Sequence, residues 1–105
     1  MRRGEVRWYK FSRPDKRRPV VILTRGSALE FLSEVTIAPV TSTIRDIPTE
    51  VVLTAADGMQ KACAVNLDHI QTVYRSKIGT LITTLHKEKM REICSSLLFA
   101  LGFYR

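Results

Sequence analysis

The chain opens on a stretch in which the side chains suit a pleated, half-buried surface. Val6-Arg7-Trp8-Tyr9-Lys10-Phe11 is built of aromatic and β-branched residues with cations between them and predicts a strand. Ser12-Arg13-Pro14-Asp15-Lys16 carries turn chemistry, because Pro presets φ and Asp can bond its own backbone. Arg18-Pro19 leads into Val20-Val21-Ile22-Leu23, an apolar run without alternation, which predicts a strand covered on both faces. Pro19 stands at its start, where a missing N–H is tolerated. Residues 25–33 read as a loop with a helical turn at Ser27-Ala28-Leu29-Glu30. Glu34 to Thr41 is the next strand, and Pro39 within it predicts an edge or a bulge. Glu50-Val51-Val52-Leu53 is another, and Thr54 to Gly58 reads as a single capped turn closed by glycine.

Cys63 to Asp68 alternates again, with Cys63, Val65 and Leu67 on one face. Ile70 then falls out of phase, which predicts a β-bulge near His69. The period changes last: Met90, Ile93, Leu97, Leu98 and Leu101 recur at three and four, so residues 86–101 form an amphipathic helix with Gly102 as its stop. Four or five short strands followed by one helix predict a mainly β (α+β) fold, a small bent sheet or partial barrel with the helix on one side.

Length and composition narrow this to a single domain over residues 1–105 with one small core. The N-terminus runs straight into a strand pattern without an apolar signal region, so the chain reads as cytosolic, and it holds no apolar run long enough to span a bilayer. Cys63 and Cys94 have no CxxC spacing and read as two small buried hydrophobes.

Charge changes the picture more. Residues 1–18 carry eight cations, Arg2, Arg3, Arg7, Lys10, Arg13, Lys16, Arg17 and Arg18, against Glu5 and Asp15, whereas the other 87 residues carry nine cations and eight anions. A solubilising surface usually interleaves both signs, so the basic stripe points to a polyanionic partner, with RNA the reading that the chemistry below develops.

His69 and His86 are not at ligand spacing with carboxylates, and GxGxxG, P-loop and GxSxG motifs are all missing, so no metal or cofactor is expected. Polar groups gather instead at predicted strand ends: Arg18, Thr41, Ser42, Thr43, Arg45, Asn66, Asp68, His69 and Gln71. These types suit a reaction that needs no cofactor. RNA carries its own nucleophile, the 2′-hydroxyl, which attacks the adjacent phosphorus and expels the 5′-oxygen. A fixed Arg with a hydroxyl or amide donor stabilises the charge that gathers on the phosphoryl oxygens. Asp68 or His69 can supply acid–base work. The same residues also have plainer readings: Arg18 as a backbone phosphate contact, Asp68 as a hydrogen bond closing a loop, His69 as a rim histidine. Composition and pattern reach RNA binding and stop short of RNA cleavage.

Four stretches in order resemble the MazF/PemK family of toxin ribonucleases: Arg3-Gly4-Glu5-Val6 with Trp8, Arg17 to Leu23, Ala38-Pro39-Val40-Thr41-Ser42, and Asp68 to Val73. The similarity continues through Lys77-Ile78-Gly79 and Leu85 to Met90 into the final helix. The resemblance implies an SH3-like small barrel with a C-terminal helix, a homodimer, and metal-independent, sequence-selective cleavage of single-stranded RNA that leaves cyclic phosphate and 5′-hydroxyl ends. It also implies a toxin held inactive by an antitoxin whose largely acidic C-terminal segment occupies the RNA groove. Arg18 matches the family's Arg-Pro arginine and Thr41 its Pro-x-Thr threonine, the pair placed at the scissile phosphate. Asp68 matches an Asp proposed as general base in some members, so Arg18, Thr41, Asp68 and His69 form the candidate catalytic set. Arg13, Lys16, Arg17, Ser42, Thr43, Arg45, Asn66 and Gln71 form the candidate RNA-binding set.

The chain departs from the family at several of these positions. Gln71 lies where many relatives have Arg, His69 where Gln is usual, and Asn66 where one branch has an Arg thought to act as acid. The loop from Ser12 to Arg17 is shorter than in many relatives, so their recognised RNA sequence does not carry over. Two alternatives stay beside the enzyme: a non-catalytic RNA-binding module, and a gyrase-inhibiting toxin of the same fold. The residues Gly102-Phe103-Tyr104-Arg105 lack the Trp-Gly-Ile end that the latter uses.

Overall fold

The computed structural model describes residues 1–12 and 17–103. Its strands are β1 (Glu5–Lys10), β2 (Arg17–Ile22), β3 (Glu34–Thr41), β4 (Glu50–Leu53), β5 (Cys63–Asn66), β6 (Gln71–Tyr74) and β7 (Ile78–Thr84), followed by α1 (Lys87–Leu101). All pairings are antiparallel, in the order β4-β5-β3-β2-β1-β7, with β6 also on β3. The fold is therefore mainly β with one C-terminal helix, as expected. Among the described residues no helix is long and apolar enough to cross a membrane.

The unbroken apolar run behaves as its pattern predicts. Val20, Val21 and Ile22 are all fully buried. Val21 joins the cluster of Val6, Ala38, Val40, Leu53, Val65 and Ile93, while Val20 and Ile22 join Leu29, Val35, Ile37 and Val73. β2 thus separates two apolar layers, and side chains that alternate along it enter different ones.

β3 is the strand on which the sheet divides. Its Glu34–Ile37 stretch pairs with β6 and its Val40–Thr41 stretch with β5. Pro39 stands between those two ladders while pairing across to Val20 of β2. That corrects the expectation of an edge strand: β3 is interior, and its proline sits where one neighbour gives way to another, so its missing N–H costs no ladder bond there.

The bulge expected near His69 is a short 3-10 turn, Leu67–His69. The phase break at Ile70 is real, but a turn produces it. Asn66 starts that turn by accepting the Asp68 backbone N–H on its side-chain oxygen at 3.0 Å. Register shifts occur elsewhere, between β1 and β7 on either side of Arg7.

The capped turn at Thr54 is present as a 3-10 turn with a reciprocal capping box between Thr54 and Asp57, and Gly58 closes it at φ 94°. A 3-10 turn spans Gly26–Ala28 in the predicted loop.

α1 ends at Gly102 in the left-handed region, with Phe103 N–H donating to Leu98 O at 2.8 Å and Gly102 N–H to Phe99 O at 3.1 Å, the pattern of a Schellman stop. Buried Ile93 fixes the helix to the core, and Ser96 Oγ donates to Pro48 O at 2.6 Å. Cys63 is buried as expected, but Cys94 is exposed on α1, because the helix turns it away from the face that carries Ile93 and Leu97.

Candidate functional site

Arg17 and Arg18 both lie in β2, which begins three residues earlier than the apolar run suggests. Their side chains part. The β1–β2 register sets Trp8 opposite Pro19 and Tyr9 opposite Arg18. Residues of one parity share a face, so Arg17 falls with Trp8 and Pro19, and Arg18 with Tyr9 and Val20. The Arg17 guanidinium sits 4.4 Å from the centroid of the Trp8 ring, a cation–π contact across the strand diagonal.

On its face, Arg18 lines a cleft of about 170 Å³ with Phe11, Pro39, His69 and Gln71. Phe11 packs edge-on against Tyr9, ring centroids 4.8 Å apart. The β2–β3 ladder ends at Val20↔Pro39. Arg18 and Thr41 each stand two residues beyond that last pair, one on either strand. Strand alternation puts both in phase with it, so they share a face of the sheet. The Thr41 hydroxyl accepts the Thr43 backbone N–H at 3.1 Å. That contact uses an oxygen lone pair and leaves the hydroxyl proton for an acceptor. Thr41 and Ser42 also line a second cleft, of about 350 Å³, together with Trp8 and Pro19. A larger cleft, of about 520 Å³, bounded by Arg3, Thr24, Thr36 and Leu97, contains none of the candidate site residues.

The turn after β5 arranges three candidate residues by short-range bonds. The Asn66 side-chain oxygen holds the Asp68 backbone N–H, and its amide nitrogen lies 3.1 Å from His69 Nδ1. An amide nitrogen only donates, so Nδ1 accepts and the neutral ring carries its proton on Nε2. In that tautomer His69 presents an Nε2–H donor. Asp68 is held from elsewhere: the Thr49 hydroxyl donates to its Oδ2 at 2.6 Å, and Leu67 N–H donates to Thr49 O at 2.9 Å. Asp68 does not line the cleft of Arg18, His69 and Gln71. Arg45 is positioned by Glu50, whose carboxylate takes its backbone N–H at 2.9 Å and its guanidinium at 3.2 Å. The Glu50 side chain is 1% exposed and that of Arg45 53%, so the ion pair is anchored from inside. Ser42, Thr43 and Gln71 are exposed. Arg13 and Lys16, and the turn expected to contain them, lie outside the described residues.

The basic stripe is thus divided in space. Arg3 Nε donates to Leu23 O at 2.9 Å. Arg7 binds Glu5 at 2.8 Å and Gly79 O at 3.0 Å. Burial alone would raise the Glu5 carboxyl. The Arg7 hydrogen bond, the Arg2 backbone bond and the charges of Arg7 and the N-terminus together outweigh it and hold the carboxyl below its ordinary value. Burial, with Asp57 adding to it, pushes the Cys63 thiol up. Sequence reading passed over Thr49, Glu50, Phe11 and the apolar cleft beside Trp8. Only the Trp8–Arg17 diagonal left a readable signal, in the two adjacent strand patterns that carry these residues.

Comparison with known proteins identifies the family and the fold. Residues 2–101 match the family described as PemK-like, MazF-like toxin of type II toxin-antitoxin system. The chain is 38% identical over 96 residues to "Probable endoribonuclease MazF5" of Mycobacterium tuberculosis, covering 90% of this chain and 87% of that protein. It is 34% identical over 103 residues to "Probable endoribonuclease MazF2" of the same species, covering 97% and 99%. Among solved structures, the Mycobacterium tuberculosis toxin MazF-mt6 superposes with a TM-score of 0.86 at 31% identity, over 93% of this chain and 96% of that one. An endoribonuclease in complex with its cognate antitoxin, from a mycobacterial species, gives 0.88 at 25% identity over 100% and 98%. The chain belongs to the PemK-like, MazF-like family of toxins of type II toxin–antitoxin systems.

Proposed function

We propose that this toxin is an endoribonuclease that cuts single-stranded RNA by attack of the 2′-hydroxyl on the adjacent phosphorus. The observation that carries the reading is the end of the β2–β3 ladder. Arg18 and Thr41 emerge there on one face, and His69 and Gln71 share the cleft of Arg18. A phosphoryl group at the mouth of that cleft would meet a planar guanidinium fork, with the Thr41 hydroxyl proton supplied from the end of the neighbouring strand. The O2′–P bond forms as the P–O5′ bond breaks. The 2′-hydroxyl proton passes to water and the departing 5′-oxygen takes a proton from water, while His69 Nε2–H hydrogen-bonds the phosphoryl or departing oxygen. Asp68 acts as a positioning residue that fixes the turn through Thr49. Arg17, Ser42, Thr43, Arg45, Asn66 and Gln71 hold the flanking strand, together with Arg13 and Lys16. The nucleophile comes from the substrate, so the reaction is read as needing no metal or other cofactor.

The whole chain acts as one domain in the cytoplasm. Its regulatory partner is an antitoxin with a largely acidic C-terminal segment, suited to the cations of the first hairpin. It works as a homodimer, supported by Leu98, Leu101 and Phe103, which leave 42%, 50% and 73% of their surface exposed at the end of α1. Sedimentation is expected to give twice the chain mass.

The test is incubation of the purified protein with a long single-stranded RNA in EDTA, followed by mapping of the ends. Discrete cuts with 5′-hydroxyl and cyclic phosphate ends are expected. RNA left intact overturns the reading.

A further inference from the structure

Among the described residues, the cleft on the other face of β2 is built differently from the one that holds Arg18. It encloses about 350 Å³, and Trp8, Pro19, Val40, Met59, Leu81 and Ile82 form apolar walls. That volume falls within the range of pockets that bury small ligands, roughly 300–1,000 Å³. Ser42, Gln60 and Lys61 supply polar groups to the same lining. Thr41, the last residue of β3, belongs to this lining as well, so the cleft meets the phosphate position proposed above at the end of that strand.

Trp8 is held in place from two sides. Between the pairs Arg7↔Leu81 and Tyr9↔Ile78, β1 has one residue and β7 has two, so Trp8 faces a bulge made by Gly79 and Thr80. A Cβ on Gly79 would lie 2.9 Å from Trp8 O and 3.3 Å from its Cβ, so only glycine lets β7 come this close. From β2, Arg17 packs over the indole, its guanidinium 4.4 Å from the ring centroid.

We propose that this cleft receives one unstacked base of the RNA, the base next to the scissile phosphate. The proposal rests on the ribonuclease reading and adds the residues that set base preference. An aromatic ring in an apolar slot stacks on any base face, as in other single-strand binders. The Gln60 amide, which both donates and accepts, reads the base edge, with the Ser42 hydroxyl beside it. Arg17 and Lys61 attract the flanking phosphates. The charge around the cleft and its continuity with Thr41 favour a nucleic-acid occupant over an apolar segment of a protein.

Trp8 is the only tryptophan, so its fluorescence reports on the cleft directly. The probes are single-stranded homopolymeric oligodeoxynucleotides, which lack the nucleophile and are not cut. The second series places one abasic site at each position around the mapped cut, with deoxyribose at the cut nucleotide. The expected result is quenching of Trp8 by at least one homopolymer. In the second series, one abasic position beside the cut removes the quench and weakens binding by on the order of tenfold, the lower end of base–aromatic stacking. Leu81→Ala, at a half-exposed wall position that tolerates truncation, is expected to reduce discrimination at that same nucleotide and at no other. Oligonucleotides that bind without quenching overturn the proposal, as does an abasic series in which every position behaves alike. Quenching by an acidic peptide but by no oligonucleotide also overturns it and assigns the cleft to a protein partner. A protein that leaves RNA intact but shows base-dependent quenching loses the ribonuclease reading while keeping the base site.

Discussion

The clefts on the two faces of β2 share a strand and differ in kind. One, of about 170 Å³, joins Arg18 to His69 and Gln71 over a floor of Phe11 and Pro39. The other, of about 350 Å³, is walled mostly by apolar side chains and has Arg17 stacked on its tryptophan. Two adjacent arginines therefore receive different surroundings from strand alternation alone. A run of cations in a sequence is not a patch in space: Arg3 and Arg7 are bound to main-chain carbonyls, Arg17 to a ring, and Arg18 lines a cleft with His69 and Gln71. The comparison teaches that the period of the strand decides which cation packs on a ring and which lines the cleft; in the function proposed above, the second meets the phosphate's reacting oxygens and the first only holds the strand.

The largest effect that can break this comparison is at Arg18. Arg18→Ala is expected to slow cleavage by on the order of 10²-fold or more, the scale of losing one oxyanion donor, with an unchanged circular dichroism spectrum. Next come Asp68 and His69. A general base removed from Asp68 would cost about 10²–10⁴-fold and one limb of the pH–rate profile. As a positioning residue that receives the Thr49 hydroxyl, Asp68 is expected to lose much less as Asn and to keep the profile. His69→Gln retains an N–H donor, so a modest fall in rate with an unchanged pH–rate profile is expected. A displaced profile would make His69 an acid–base group instead.

The smallest effect lies away from both clefts, at Glu5. Its carboxyl is held below the ordinary value, so its contribution to stability is complete above the usual carboxylate range and disappears as the pH falls through the lower folded value. Glu5→Gln weakens the bond to Arg7 and is expected to cost about 1–3 kcal/mol at neutral pH, with a smaller difference in acid. Urea titrations at the two pH values measure it.

Much of this was legible in the sequence. Val20 to Ile22 showed by its lack of alternation that both faces are covered, and α1 and Gly102 were readable from spacing and cap. β7 was not, because Gly79 and two register shifts against β1 destroy its period of two. The turn at Leu67–His69 mimicked a bulge, since either device breaks phase. At the site, parity separates Arg17 from Arg18 once the hairpin register is known. The bond from Thr49 to Asp68 joins residues 19 apart through a fold that local pattern does not encode.

The most direct test of the central claim compares Arg17→Ala with Arg18→Ala on one cleavable oligonucleotide, each followed to saturation in EDTA. The account predicts that Arg18→Ala loses kcat. Arg17→Ala keeps kcat, raises KM, and lowers the slope of binding against log salt by about 0.7, as for one lost phosphate contact on a single strand. Equal losses in kcat from both substitutions, or a wild-type kcat in Arg18→Ala, would contradict it.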